Sequence, residues 1–115
     1  MSNRRPSWRN SLKTPALVFA ALGDETRLGL LDKLLNGEPQ SIVQLTEGTR
    51  LTRQAVTKHL RVLQGAGVVR SDRVGRESRF ELDPKPLVDA RSYLDHASQQ
   101  WDNALARLKA LVEEP

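Results

Sequence analysis

Apolar residues fall in short helical stripes along much of the chain, alternate briefly after residue 67, and return in a seven-residue rhythm toward the end. The opening MSNRRPSWRNSLK has no such rhythm, so residues 1–13 are predicted to be a flexible basic arm. Thr14-Pro15 reads as the cap and first helical position of a short helix, ALVFAAL, because a first-turn amide has no helical partner to lose. Gly23 breaks that helix and Asp24 caps the next, DETRLGLLDKLLNG. There Leu28, Leu31 and Leu35 keep helical spacing, and Leu30 and Leu34 widen the stripe. Gly37 ends it and Pro39 prevents continuation. Ser41 and Gln44 match a capping box opening SIVQLTEG, with Ile42 and Leu45 facing inward.

The stretch RLTRQAVTKHLRVLQGAGVV, residues 50–69, is basic at its start and leucine-rich at its end. Thr52 is the predicted cap of a helix that runs to about Gln64 and stops at Gly65-Ala66-Gly67. Val56, Leu60 and Leu63 hold one side of it. VVRSDRV and ESRFEL then read as strands joined at Gly75-Arg76, with Val69, Phe80 and Leu82 turned to the core. Asp83-Pro84 starts a long final helix, residues 84–112. Leu87, Leu94, Trp101 and Leu108 form one seam of it, and Ala90, Ala97, Ala104 and Leu111 the adjacent one. At 1.5 Å per residue this helix is roughly 40 Å long, more than so small a core can cover. It is predicted to self-associate, with 15–22 as its companion. The expected interface residues are Leu17, Phe19, Ala20, Leu87, Ala90, Leu94, Ala97, Trp101, Ala104 and Leu108. The alternative is that it packs wholly on its own domain.

Residues 14–115 are therefore read as one domain, mainly α with a two-stranded β wing. A length of 115 residues suits a single modest core, and 38% apolar with 28% charged residues suits a soluble globular chain. There is no cysteine, which removes disulfides, thiolate metal sites and a thiol nucleophile, and fits a cytoplasmic location. The apolar runs are too short for a membrane span, and the N-terminus lacks the apolar stretch of a secretory signal. No membrane partner is expected.

The net charge of +4 is less informative than its placement. Residues 49–82 hold eight Lys/Arg against three Asp/Glu, and the N-terminal stretch adds Arg4, Arg5, Arg9 and Lys13. Such a concentration suits a polyanion, most simply double-stranded DNA, though a solvated basic face has the same composition. A short helix, a turn, a second helix and a basic hairpin are the order of a winged helix-turn-helix. Arg53, Gln54, Thr57, Lys58 and Arg61 project from one side of the second helix. Arg can bond guanine, Gln adenine, and a Thr methyl can touch thymine, with Arg61 better placed for phosphate. Thr52, and Arg50 in the turn, complete the predicted DNA face. Arg70, Arg73, Arg76 and Arg79 surround a wing tip that could follow the backbone or enter a minor groove. No phosphate loop, nucleophile elbow or ligand cluster is present, so no enzyme and no cofactor is expected.

FAALGDETRLGLLDKL, LTRQAVTKHLRVLQGAGVV and RVGRESRFELDP together resemble the ArsR-type winged helix-turn-helix regulators, over nearly everything from Ala16 to Leu82. The resemblance implies a homodimer with N- and C-terminal helices at its interface, binding an operator near its own promoter as a repressor. Two recognition helices entering successive major grooves call for an inverted-repeat operator. The tail with Trp101 and ALARLKALVEE is similar to the metal-independent members. Two features depart from the family pattern. Such regulators often carry Gly in the turn before the recognition helix, where this chain has Gly48-Thr49-Arg50-Leu51. Either Arg50 is left-handed, or Gly48 takes the bend earlier. Metal-sensing members also place cysteines on the helix matching SIVQLTEG, or Asp and His along the last helix. Here the last helix has Asp89, Asp95, His96 and Asp102 but a single His, so no metal is expected. His59 is read as a packing residue that hydrogen-bonds locally. The rival readings are a metal-responsive repressor and a protein-interaction module that keeps the fold without reading DNA. No polar constellation identifies an effector.

Overall fold

The computed structural model describes the backbone of residues 7–113 and the side chains of residues 12–113. Five helices and three strands follow in the order α1 (Ser7–Leu22), α2 (Glu25–Leu34), β1 (Gln40–Ser41), α3 (Ile42–Thr46), α4 (Arg53–Gly65), β2 (Val69–Val74), β3 (Glu77–Leu82) and α5 (Pro84–Glu113). Among the described residues this is the expected mainly helical chain with a β wing.

The first helix corrects the expected arm. It begins at Ser7, so residues 7–13 are helical, and only residues 1–6 of that arm lie outside the described residues. Pro15 sits inside α1 and is buried, although it lacks the amide that would bond Ser11. The helix continues through it because Pro15, Val18, Ala21 and Leu22 lie at helical spacing on a face that packs inward. Burial of that stripe outweighs one missing hydrogen bond.

In α2 the buried leucines are Leu30, Leu31 and Leu34, while Leu28 is 48% and Leu35 65% exposed. The helix is thus rotated from the expected stripe: its inward face centres on residues 30, 31 and 34. Asp24 caps it by accepting from the Arg27 amide at 3.0 Å. Ser41 and Gln44 form the reciprocal capping box of α3 at 3.2 and 2.9 Å. The same Ser41 belongs to β1, a third strand that the chain pattern did not announce. The sheet order is β1-β3-β2, all antiparallel, with Gln40 opposite Phe80 and Ser41 opposite Arg79. A two-residue strand carries no periodicity, so only its partner reveals it.

The α2, α3 and α4 helices close over one core with β2, β3 and parts of α1 and α5. Leu34, Leu45, Val56, Leu60, Leu63, Val68 and Val18 are fully buried, and Val69, Phe80 and Ala90 nearly so. Each large aliphatic side chain among them contributes about 2 kcal/mol of burial. The α4 helix ends in a Schellman motif, Val68 N–H to Leu63 O at 3.1 Å and Gly67 N–H to Gln64 O at 2.9 Å. The wing can therefore start within three residues of the helix.

Candidate nucleic-acid interface

The α4 helix is divided by its own periodicity. Val56, Leu60 and Leu63 are held in the core, which fixes the opposite face outward. Arg53, Gln54, Lys58 and Arg61 on that face are all exposed. Thr57 is half-buried and its hydroxyl donates to Arg53 O at 2.7 Å, leaving its methyl as the group it offers. Thr52 is exposed and caps the helix by accepting from the Ala55 amide at 3.0 Å. No acidic residue lies in the first turn, so the positive end of the helix dipole is not offset there.

The turn ahead of α4 is built by Gly48. Its φ is +77°, and no described non-glycine residue has a positive φ, so Arg50 stays in an ordinary conformation. Gly48 takes the bend two residues earlier than Arg50, and Arg50 is left exposed beside the cap. Lys33 of α2 secures the end of α3, its ammonium donating to Leu45 O at 2.9 Å and Glu47 O at 2.6 Å. These are carbonyls that a helix end leaves without partners. Thr49 adds a hydroxyl bond to Thr46 O at 2.6 Å.

The wing is less uniformly basic than its sequence. Val74 and Glu77 pair across Gly75-Arg76, and Gly75 has φ +64°, as the first position of a two-residue hairpin turn requires. Arg73 and Arg76 are exposed at the tip, and neither is in an ion pair among the described residues. Arg70 is committed to Glu81 at 3.0 Å, with Asp83 at 3.9 Å. The hydrogen bond and charge of Glu81 raise the Arg70 pKa above its ordinary value. Arg79 lies mid-strand opposite Asp72 and pairs with Glu77 at 3.4 Å. Of the four arginines expected around the tip, the structure therefore puts Arg73 and Arg76 there and engages Arg70 and Arg79 with carboxylates. Gln64 of α4 donates to Ser71 of β2 at 3.1 Å and ties the wing base to the helix.

The α1 helix packs along α5, with the Phe19 and Tyr93 ring centroids 5.9 Å apart. Ala90 is 4% exposed and Leu87 packs on the same core, so these two members of the expected seam are already covered within the chain. A small alanine at the point where α5 crosses the core is what close helix approach requires. Leu17, Leu94, Trp101 and Leu108 are exposed, as is Ala20; Phe19, Ala97 and Ala104 are half-buried.

Arg27 and His59 were not legible as a pair, being 32 residues apart. Arg27 Nη1 lies 3.3 Å from His59 Nδ1, and Asp24 Oδ2 lies 3.8 Å from the same nitrogen. Since a guanidinium only donates, His59 Nδ1 is the acceptor of the shorter contact and the proton sits on Nε2. The Asp24 distance is too long for a hydrogen bond. The Arg27 amide bond holds the Asp24 carboxyl below its ordinary pKa, against a smaller opposing effect of desolvation, with the Arg27 charge adding to the lowering.

The family model described as a helix-turn-helix domain matches residues 22–72. An HTH-type transcriptional regulator of Mycobacterium tuberculosis is 30% identical over 104 residues, 90% of this chain and 94% of that one. The structure of an ArsR-like transcriptional regulator from Rhodococcus sp. RHA1 is 37% identical and covers 92% of this chain and 99% of its own, with a TM-score of 0.78. The chain belongs to the ArsR family of winged helix-turn-helix transcriptional regulators. A homodimeric winged helix-turn-helix DNA-binding domain from Mycobacterium bovis shares the fold at 20% identity and a TM-score of 0.65, over 93% of this chain and 95% of its own. The ArsR family comprises DNA-binding regulators rather than a class of enzymes, and α4 is the second helix of the α3-turn-α4 order in this member. The matched segment runs from the end of α1 into β2 and leaves α5 beyond it. Among the described residues no group of three or more His, Asp or Glu side chains is close enough to share a metal ion. No described helix is long and apolar enough to cross a membrane.

Proposed function

We propose that this regulator works as a homodimeric repressor that reads an inverted-repeat operator near its own promoter, in the cytoplasm and without a metal ion. The observation that carries it is α5. Its 30 residues span about 45 Å, yet Ala90 is the one residue of this helix that is buried. Leu94, Trp101, Leu105, Leu108, Leu111 and Val112 are exposed along its length, from 51% at Leu94 to 79% at Val112. The radius of gyration, 19.3 Å, exceeds the roughly 13 Å expected of a compact chain this size, as an overhanging helix requires. An apolar stripe of that extent calls for a partner. A second copy supplies one with the same heptad seam, and a two-fold axis along it presents two α4 helices to the DNA. A neighbour of the same fold is itself homodimeric.

In each half, Arg53, Gln54, Lys58 and the Thr57 methyl read base edges, while Arg50, Thr52, Arg61, Arg73 and Arg76 hold phosphate. Arg79 contributes only by releasing Glu77. Selection of bound fragments from genomic DNA tests the reading. It should return an imperfect inverted repeat with half-site centres roughly 34 Å apart. Affinity for that fragment should fall steeply with salt, because several cations displace counterions. Recovery of lone half-sites, no enrichment at all, or a flat salt dependence would contradict it. Stoichiometric tight zinc binding in equilibrium dialysis would overturn the metal-free part alone.

A further inference from the structure

Arg27 does more than cap a helix. Its guanidinium donates from Nε to Ala21 O at 2.5 Å and from Nη2 to Ala20 O at 3.3 Å, satisfying carbonyls that the end of α1 would leave bare. Its third nitrogen, Nη1, meets His59 Nδ1 at 3.3 Å, on the helix that carries the reading face. The neighbouring residue Lys58 belongs to that face, and Leu60 on the other side is fully buried. One planar group thus touches α1, which packs along α5, and α4, while its own backbone starts α2 through Asp24. The five donors of a guanidinium lie in a fixed plane, so the two bonds to α1 restrict where the third can point.

We propose that Arg27 is a positioning residue for DNA reading, a latch that sets α4 relative to α1 through His59. The inference rests on the reading of α4 as the DNA-binding helix and of α1 with α5 as the dimer helices. Loss of the latch frees α4 to shift against the helix pair that spaces the two half-sites. Contacts to base edges need that spacing, whereas contacts to phosphate tolerate small shifts. Specific binding therefore suffers more than non-specific binding.

The test measures the dissociation constants of the full chain for its selected operator fragment and for a scrambled duplex, as a function of salt. The proteins are the wild type, Arg27→Ala, His59→Leu, His59→Asn and the Arg27→Ala, His59→Leu double variant. Melting temperature and dimer dissociation are followed in parallel. The Asn amide oxygen can take the place of Nδ1 as acceptor. The expected results are a fall of about tenfold in the operator-to-scrambled ratio for Arg27→Ala and for His59→Leu, at an unchanged salt slope. The double variant should be no worse than either single one. His59→Asn should restore most of the ratio. If Arg27→Ala does not fold, the two His59 variants decide.

A folded, dimeric Arg27→Ala or His59→Leu with the wild-type ratio overturns the latch while leaving the DNA-reading account intact. So does an equal loss on both duplexes with a salt slope reduced by about one, which marks a direct phosphate contact by Arg27. Failure of His59→Asn to rescue also counts against it. A wild type that does not distinguish the two duplexes sinks the DNA-reading account and the latch together.

Discussion

Alanine at Gly48 and alanine at Gly29 should move stability in opposite directions. Neither site has a heavy atom within 4 Å of where a Cβ would stand, so packing contributes to neither change. They differ in backbone alone. Gly48 has φ +77° in the turn ahead of α4, a conformation that costs an L-residue about 1–2 kcal/mol. The stiffer unfolded chain returns roughly 0.5–1 kcal/mol, leaving a net loss of about 1 kcal/mol. Gly29 is exposed inside α2 with helical geometry, so there alanine should add about 0.5–1 kcal/mol. In a chain of this size the two variants should straddle the wild type by roughly 4 °C on each side. Urea midpoints at equal slope give the free energies directly. Equal signs, or a stabilised Gly48→Ala, would show that the bend of the turn is not carried at residue 48.

The remaining expectations concern the core, the cap and the interface. Leu60→Ala should cost about 2–5 kcal/mol because the side chain is wholly enclosed, whereas Leu35→Ala on the open side of α2 should change stability by less than about 0.5 kcal/mol. Comparable urea midpoints for the two would refute the assignment of buried faces. The Asp24 carboxyl has a lowered pKa in the folded chain, so its contribution is complete above the ordinary carboxylate value of about 3.9 and is lost as pH falls through the folded value. The melting-temperature gap between wild type and Asp24→Ala should accordingly be widest near neutrality and narrow in acid. A gap that persists to about pH 2 contradicts the capping account. Trp101→Glu alters a side chain 68% exposed in the single chain, so it should leave the protomer's fold intact and give a monomer in sedimentation. An undiminished dimer would place the interface elsewhere.

Local chemistry was the most legible part of the fold. Val56, Leu60 and Leu63 recur at helical spacing, so the inward face of α4, and with it the outward face, follow from the sequence. The capping box at Ser41 and Gln44, the stop at Gly67 and the hairpin at Gly75 are likewise local, and the structure has each of them. What escaped depends on partners. Four leucines in the ten residues of α2, with Leu35 just past its end, admit two helical stripes, and only packing against α1, α4 and β3 selects Leu30, Leu31 and Leu34. Pro15 looked like a start because the rule for proline is local, whereas the burial that carries α1 through it is tertiary. The sign of the wing's charge could be read, but not that Arg70 and Arg79 face Glu81 and Glu77. Arg27 sits in α2 with no local pattern to set it apart. Nothing near it in sequence points to His59, and the α1 carbonyls it binds carry no sequence signal of their own.

The most direct measurement is quantitative footprinting of the selected operator with wild type and with the Arg53→Ala, Gln54→Ala double variant, each checked for melting temperature and dimer content. Both side chains are exposed, so the fold should not notice their loss. At about 1–3 kcal/mol for each base contact, specific affinity should fall roughly a hundredfold or more while binding to scrambled DNA falls far less. The protected region should vanish at concentrations that saturate the wild type. An unchanged footprint from the folded, dimeric variant would mean that the exposed face of α4 does not read the DNA.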